Sequence, residues 1–248
     1  MYTLILAGGS GTRLRSIVND VPKPMAPVCN MPFLEYVLAN LKSVGLQKFI
    51  FLLHYKADYI QNYFSDGSKW DVEIIYSVEK EPLGTGGAIS LLRERLDKTF
   101  CLVNADTLLT INFNKLTYIH YKQKPILTIA LAKVNDPARF GEVLLDENNY
   151  VTSFKEKNCL KLITDSINEH YINAGFYMIE PQILKYIPEN IPISLEKEVF
   201  PILLGHKEKI LGFNDVKQFF DIGTPQDYIV FQKWIKDNPC YFFNYPNK

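Results

Sequence analysis

The stretch LILAGGSGTRLRSIVNDVPKPM, running from Leu4 to Met25, decides how the rest of the chain is read. An apolar run, Tyr2 to Leu6, predicts a buried strand. It breaks into a loop carrying Ala7, Gly8, Gly9, Gly11, Thr12 and Arg13. Glycines after a strand let backbone N–H groups approach phosphate oxygens, because no Cβ stands in the way. Arg13 and Lys23 add two cations where phosphate charge would need stabilising. Pro22 and Pro24 restrict the backbone on either side of Lys23. Three readings compete. An incidental turn explains a lone Gly-x-Gly. A Rossmann site matches Gly9-Ser10-Gly11, but Leu14 stands where its third glycine belongs. A Walker loop fails, since the chain has no Gly-Lys-Ser/Thr run. A phosphate-cradling loop of another kind remains.

Composition narrows the class. The chain has 248 residues, long enough for a full α/β core. Its 27 basic and 27 acidic residues balance, which gives no electrostatic case for nucleic acid or an anionic membrane. No apolar run approaches the roughly 20 residues of a spanning helix. The N-terminus enters a strand directly, with no basic leader, so a cytoplasmic location is expected. Cys29, Cys101, Cys159 and Cys240 lack metal-site spacing and are expected to be reduced. His54, His120, His170 and His206 stand apart from one another, which suits structural roles.

Further along, the spacing of Leu34, Val37, Leu38 and Leu41 predicts a helix over Phe33 to Val44, stopped by Gly45. Lys48 to Leu53, Val72 to Tyr76 and Phe100 to Asn104 read as strands; Ala57 to Phe64 and Gly87 to Leu96 read as helices. This alternation predicts a mostly parallel sheet, with ligands beyond the carboxyl ends of its strands. Ile126 to Ala132, Glu142 to Leu145, Val151 to Lys155 and Tyr171 to Ile179 read as a more antiparallel group. Helices are expected again at Pro181 to Tyr186 and Leu195 to Leu204, then a strand at Phe219 to Ile222. A closing helix is expected from Pro225 to Lys236. The expected organisation is one domain over the whole chain. Its nucleotide-binding half covers about residues 1–110 and its sugar-phosphate half about residues 111–248.

The motifs taken in order carry a resemblance. LAGGxGTRL followed by PKPM resembles the signature of the sugar-1-phosphate nucleotidyltransferases, also called nucleoside-diphosphate-sugar pyrophosphorylases. Glu79-Lys80-Glu81-Pro82-Leu83-Gly84-Thr85-Gly86-Gly87 resembles the segment with which that family wraps the nucleobase. Asp106, ending a buried strand, resembles the family's first metal-binding aspartate, with Ala105 replacing the usual glycine. Asp221, within Asp221-Ile222-Gly223-Thr224-Pro225, resembles the second. Phe154-Lys155-Glu156-Lys157 is similar to the family's sugar-phosphate segment, with Asn158 in place of its proline. Ile172-Asn173-Ala174-Gly175 and Phe140-Gly141-Glu142-Val143 are similar to its sugar-binding strand and glycine turn. The resemblance runs from Tyr2 to about Tyr228.

It implies a three-layer αβα sandwich around a mixed, mainly parallel sheet, the nucleotide-diphospho-sugar transferase fold. It implies nucleotide contacts from Leu6, Ala7, Gly8, Gly9, Gly11, Thr12, Arg13, Lys23, Glu79, Pro82, Gly84 and Thr85. Arg13 and Lys23 would serve the transferring phosphates. Gly141, Glu156, Lys157, Asn173 and Gly175 would bind the sugar phosphate, and Mg²⁺ would sit on Asp106 and Asp221. The runs RLRSIVNDVPKPMAPV, MPFLEY and EKEPLGTGGAI are most similar to the D-glycero-α-D-manno-heptose 1-phosphate guanylyltransferases, which use GTP. Mannose 1-phosphate guanylyl transfer and thymidylyl or uridylyl transfer to glucose 1-phosphate are alternatives. No hexapeptide-repeat tail follows, so a bifunctional acyltransferase is not expected. A non-catalytic regulatory subunit on the same fold stays open, as does assembly into a homo-oligomer.

Overall fold

A computed structural model describes residues 1–9, 11–14, 17–155 and 170–239. They form two compact units. The first comprises Met1–Pro82, Val103–Leu108 and the chain from Phe220 onward; the second comprises Leu83–Leu102 and Leu109–Phe219. The units interleave along the chain, whereas the sequence reading divides it once, near Leu109 to Lys124.

In the first unit, strands Thr3–Leu6, Lys48–Leu53 and Glu73–Val78 lie side by side and parallel, Thr3 opposite Phe49 and Lys48 opposite Glu73. Thr3, Leu4, Ile5, Ile50 and Phe51 are completely buried. Parallel strands covered on both faces read as continuous apolar runs, which is why Lys48–Leu53 stands where it was expected, whereas the half-exposed Glu73–Val78 is shifted from the expected Val72 to Tyr76. The helix Phe33–Ser43 presents Phe33 and Tyr36 to Phe231 of the closing helix, with ring centroids 4.9 and 5.8 Å apart. That closing helix runs Pro225–Asp237. Thr224 caps it, its hydroxyl accepting the Asp227 N–H, and Pro225 fills its first turn.

In the second unit, Leu127–Val134 pairs antiparallel with His170–Ile179 and parallel with Ile210–Phe213. The fold class is α/β with a mixed, mainly parallel sheet, as expected. Among the described residues, no helix is long and apolar enough to cross a membrane.

Some elements differ from the sequence reading. The helix expected over Gly87 to Leu96 instead spans Gly84–Ser90, followed by a single turn at Arg93–Arg95. It starts early because the Gly86 and Gly87 N–H groups both find the carbonyl of Ile193, at 2.9 and 3.3 Å. That acceptor lies more than a hundred residues away, so no local rule foresees it. Leu195 to Leu204 is not one helix: a π-turn at Leu195–Val199 leads into a helix at Phe200–Gly205. The helix Phe113–Gln123 and the strands Thr107–Ile111 and Ile210–Phe213 were not foreseen. In that helix only Leu116 and His120 are buried, too few to show an apolar stripe.

Candidate active site

The glycine loop leaves its strand still tied to the sheet. The Ala7 N–H donates to the Leu52 carbonyl (2.9 Å), and the Gly8 carbonyl accepts from Tyr55 (3.4 Å). A Cβ on Gly8 would stand 3.3 Å from His54 and 3.6 Å from a carboxylate oxygen of Glu79. Gly11 has φ +61°, and a Cβ there would come within 2.6 Å of the Lys23 Cβ. The loop is therefore packed directly on the Pro-Lys-Pro segment, which only glycine permits. Leu14, the residue that spoiled a Rossmann match, is buried and anchors the turn Thr12–Leu14. Arg13 and Gly9 are exposed, and Arg13 has no ion pair with any described residue.

Lys23 sits in a tight turn, Lys23–Met25, entered from Pro22 at φ −64°. Pro24 and Met25 are buried, so the backbone is held while the side chain projects. Its Nζ lies 2.5 Å from Asp106 Oδ2, with the lysine side chain only 10% exposed. Asp106 follows directly from the strand Phe100–Asn104, and Ala105 N–H donates to the Leu6 carbonyl (3.1 Å). Two neighbouring strand ends thus place the aspartate beside the loop. Ala105, the departure from the family's glycine, is buried without a positive φ, so its methyl group adds no backbone strain.

Asp221 joins the same cluster. Ile222 N–H donates to the Asp106 carbonyl at 3.0 Å, and Gly223 N–H donates to Asp221 Oδ1. Burial raises the Asp221 pKa, the Asp106 carboxylate adds to the rise, and Lys23 counteracts both. Two carboxylates close enough to repel, with one lysine paired to Asp106, suit a divalent cation. Among the described residues no group of three or more His, Cys, Asp or Glu could hold a metal. Magnesium needs no such cage, since it is commonly held by one or two carboxylates plus substrate phosphates and water. The donor set fits.

Glu79 directly follows the strand Glu73–Val78; its N–H donates to the Leu53 carbonyl, and the residue is buried. His54 Nδ1 lies 3.1 Å from its carbonyl, a structural role for that ring. Pro82 is exposed.

Gly84 and Thr85 lie in the second unit. Gly84 was expected to be glycine so that backbone could approach a base. It has φ +72°, and a Cβ there would meet the Ile193 carbonyl oxygen at 2.7 Å. Within the protein, the close approach is to the loop that carries Ile193. The Thr85 hydroxyl is likewise engaged within the protein, donating to Glu196 Oε2 and accepting the Leu195 N–H, each at 2.8 Å.

Gly141 has φ +84° in a turn closed by the Pro137 carbonyl. The next residue, Glu142, is buried and accepts from Lys155 Nζ (2.8 Å) and His170 Nδ1 (2.6 Å). Asn173 and Gly175 (φ +73°) lie where the pairing of His170–Ile179 with its neighbour shifts register. Bulges of this kind re-aim side chains and recur beside active sites. Glu156 and Lys157 lie outside the described residues, as do Cys159 and Cys240. Glu142, His170, Tyr177 and Glu196 were not foreseen as partners. A buried Glu in a glycine turn was the only signal that sequence offered for any of them.

Residues 2–238 match the nucleotidyl transferase family. The chain belongs to that family. A D-glycero-α-D-manno-heptose 1-phosphate guanylyltransferase from Campylobacter jejuni is 37% identical over 231 residues, 93% of this chain and 98% of the relative. A mannose-1-phosphate guanylyltransferase from Mycobacterium tuberculosis is 36% identical over 228 residues, 91% of this chain. The match spans only 62% of that relative's length. The crystal structure of HddC from Yersinia pseudotuberculosis complexed with GMP-PN superposes with a TM-score of 0.79 at 31% identity. That match covers 94% of this chain and 99% of the other. The family resemblance and the nucleotidyltransferase fold are thereby established.

Proposed function

We propose that this nucleotidyl transferase is a guanylyltransferase that makes a GDP-sugar and pyrophosphate from GTP and a sugar 1-phosphate. The observation that carries the reading is Lys23 on Asp106 with Asp221 alongside, next to a glycine loop packed on Lys23. In this reaction an oxygen of the sugar phosphate attacks the α-phosphorus in line. The new P–O bond forms as the bond to the pyrophosphate oxygen breaks. The acceptor is already an anion, so the chain supplies position and charge rather than a nucleophile.

Arg13, exposed at the loop, would receive the β- and γ-phosphates and the leaving pyrophosphate. Lys23 would meet the α-phosphate and offset the repulsion of the incoming phosphate. Mg²⁺ held by Asp106 and Asp221 would neutralise phosphate charge when bound. Glu79 would read the base, accepting from the N1–H and amino group of guanine. Its burial near Gly8 supports that role. Gly141, Glu156, Lys157, Asn173 and Gly175 would hold the sugar phosphate.

The favoured acceptor is D-glycero-α-D-manno-heptose 1-phosphate, the substrate named for the Campylobacter relative. The product would then serve a bacterial surface polysaccharide such as lipopolysaccharide or capsule, made in the cytoplasm. Mannose 1-phosphate is the second reading, supported by the similar 36% identity to the mycobacterial relative. The test is a matrix of nucleoside triphosphates against sugar 1-phosphates, read by pyrophosphate release and product mass. Preference for dTTP or UTP would overturn guanylyl transfer. Absence of pyrophosphate with every pair would favour a binding-only regulatory subunit.

A further inference from the structure

Glu196 stands in the π-turn Leu195–Val199, a rare element that tends to mark functional positions. Its carboxylate gathers three hydroxyl groups. Oε2 accepts from Thr85 at 2.8 Å and from Ser194 at 3.1 Å; Oε1 accepts from Tyr177 at 3.2 Å. The Tyr177 hydroxyl in turn accepts from Asn173 Nδ2 at 2.7 Å, and Asn173 Oδ1 accepts the Gly175 N–H at 3.0 Å. On the other side, Thr85 accepts the Leu195 N–H, while Gly86 N–H and Ile193 N–H tie the same loop to Leu83–Gly87 through backbone bonds. All of these residues belong to the second unit.

The network joins two motifs that are far apart in the chain. One end is Gly84-Thr85, and the other is the register shift carrying Asn173 and Gly175. Both side-chain amide atoms of Asn173 are engaged, so its orientation is set by Tyr177 and the backbone rather than left to a ligand. Tyr177 itself is completely buried, with its ring packed at a tilt 5.7 Å from that of Phe200, so its hydroxyl has little freedom to turn elsewhere. Glu196 brings a carboxylate to these hydroxyl groups, and charge-assisted hydrogen bonds are roughly twice as strong as neutral ones.

We propose that Glu196 is a positioning residue that sets the sugar-binding strand and the start of the helix Gly84–Ser90 in one fixed relation. It acts through Tyr177 and Asn173 on the sugar side and through Thr85 on the nucleotide side. The proposal rests on the acceptor role given above to Asn173 and on the nucleotide contact that the family resemblance implies for Thr85. Its consequence is that the two substrate affinities are linked through one carboxylate.

The experiment compares Glu196→Gln, Tyr177→Phe and Thr85→Val in the full chain. Tyr177→Phe is expected to raise KM for the sugar 1-phosphate about tenfold and leave KM for GTP unchanged. Thr85→Val is expected to do the reverse. Glu196→Gln raises both, and the double variant Glu196→Gln/Tyr177→Phe raises the sugar KM no further than either single change. A merely structural role would lower kcat with the folded fraction and leave both KM values in place; that result, or full additivity of the double variant, overturns the proposal. Amide hydrogen exchange reads the link without substrates. Glu196→Gln must speed exchange in Leu83–Ile89 and in Ile172–Tyr177 together, and acceleration in one segment alone overturns the proposal. If the unaltered chain releases no pyrophosphate with any pair, the transferase reading fails, and hydrogen exchange alone decides the link.

Discussion

The charged cluster of the first unit and the hydrogen-bonded network of the second are built on opposite principles. In the first, Lys23 serves two carboxylates, Asp106 and Asp221, and one negative charge is left over. In the second, Thr85, Tyr177, Asn173 and Glu196 exchange hydrogen bonds donor to acceptor. The first arrangement holds electrostatic tension that a cation and phosphates can relieve. The second is satisfied on its own and acts by holding shape. A phosphate site must keep unbalanced charge available. A site that recognises neutral hydroxyl groups instead needs fixed geometry, because each hydrogen bond is directional.

Breaking the charged cluster should have the largest effect. Asp106→Asn and Asp221→Asn are each expected to lower kcat by about 10²–10³-fold. Asp221→Asn should leave the melting temperature unchanged or raise it, since it removes a carboxylate that burial and Asp106 already disfavour. Mg²⁺-dependent turnover at the original rate in both variants would reject the metal assignment. A clear fall in melting temperature for Asp221→Asn would show the tension is not there.

Lys23→Ala comes next. It leaves Asp106 without its partner and removes the charge proposed to offset the incoming phosphate. Turnover should drop by about 10²-fold, with a smaller change in GTP affinity. An unchanged kcat with a raised KM would make Lys23 a binding group only.

Glu79→Gln should narrow the preference for GTP over UTP and dTTP by about tenfold, the cost of one mismatched buried polar group. Specificity constants for all the nucleotides with one accepted sugar phosphate check it. An unaltered ratio would remove Glu79 from base reading.

The smallest effect sharpens the second region. Burial works to raise the Glu142 pKa, but hydrogen bonds from Lys155 and His170 outweigh it and hold the carboxyl below its ordinary range. A depressed folded-state pKa contributes stability that is present above the unfolded value and lost as pH falls through the folded one. Melting temperature should therefore decline less steeply on the acid side in Glu142→Gln than in the unaltered chain. Parallel acid limbs would show that this contact stores no pH-dependent stability.

The comparison also explains what was legible beforehand. Central elements of the parallel sheet could be recognised because strands buried on both faces are almost wholly apolar, as in Lys48–Leu53, where every residue after Lys48 is apolar and buried. The glycine loop and Lys23 were legible because positive φ and close approach leave a mark in residue type, as at Gly11. Gly84 is legible only in part, for a related reason. Its residue type announces a close approach but does not name what approaches, and within the protein that is the carbonyl of Ile193. Glu196 was passed over because Leu-Glu-Lys-Glu-Val reads as any exposed helical turn.

By itself, the sequence determined the chemistry available to this protein: a glycine loop with Arg13 and Lys23, two aspartates after strands, a carboxylate at Glu79, and an α/β alternation. These are local properties, set by which backbone angles and which charges each residue permits. Tertiary structure alone decided which of those groups meet. It put Lys23 on Asp106 across 83 positions of chain, and Thr85 on Glu196 across 111. Contacts at such separations depend on how strands are ordered in a sheet and how loops pack upon them. A single chain records that ordering only in the sum of its burial, not in any one stretch.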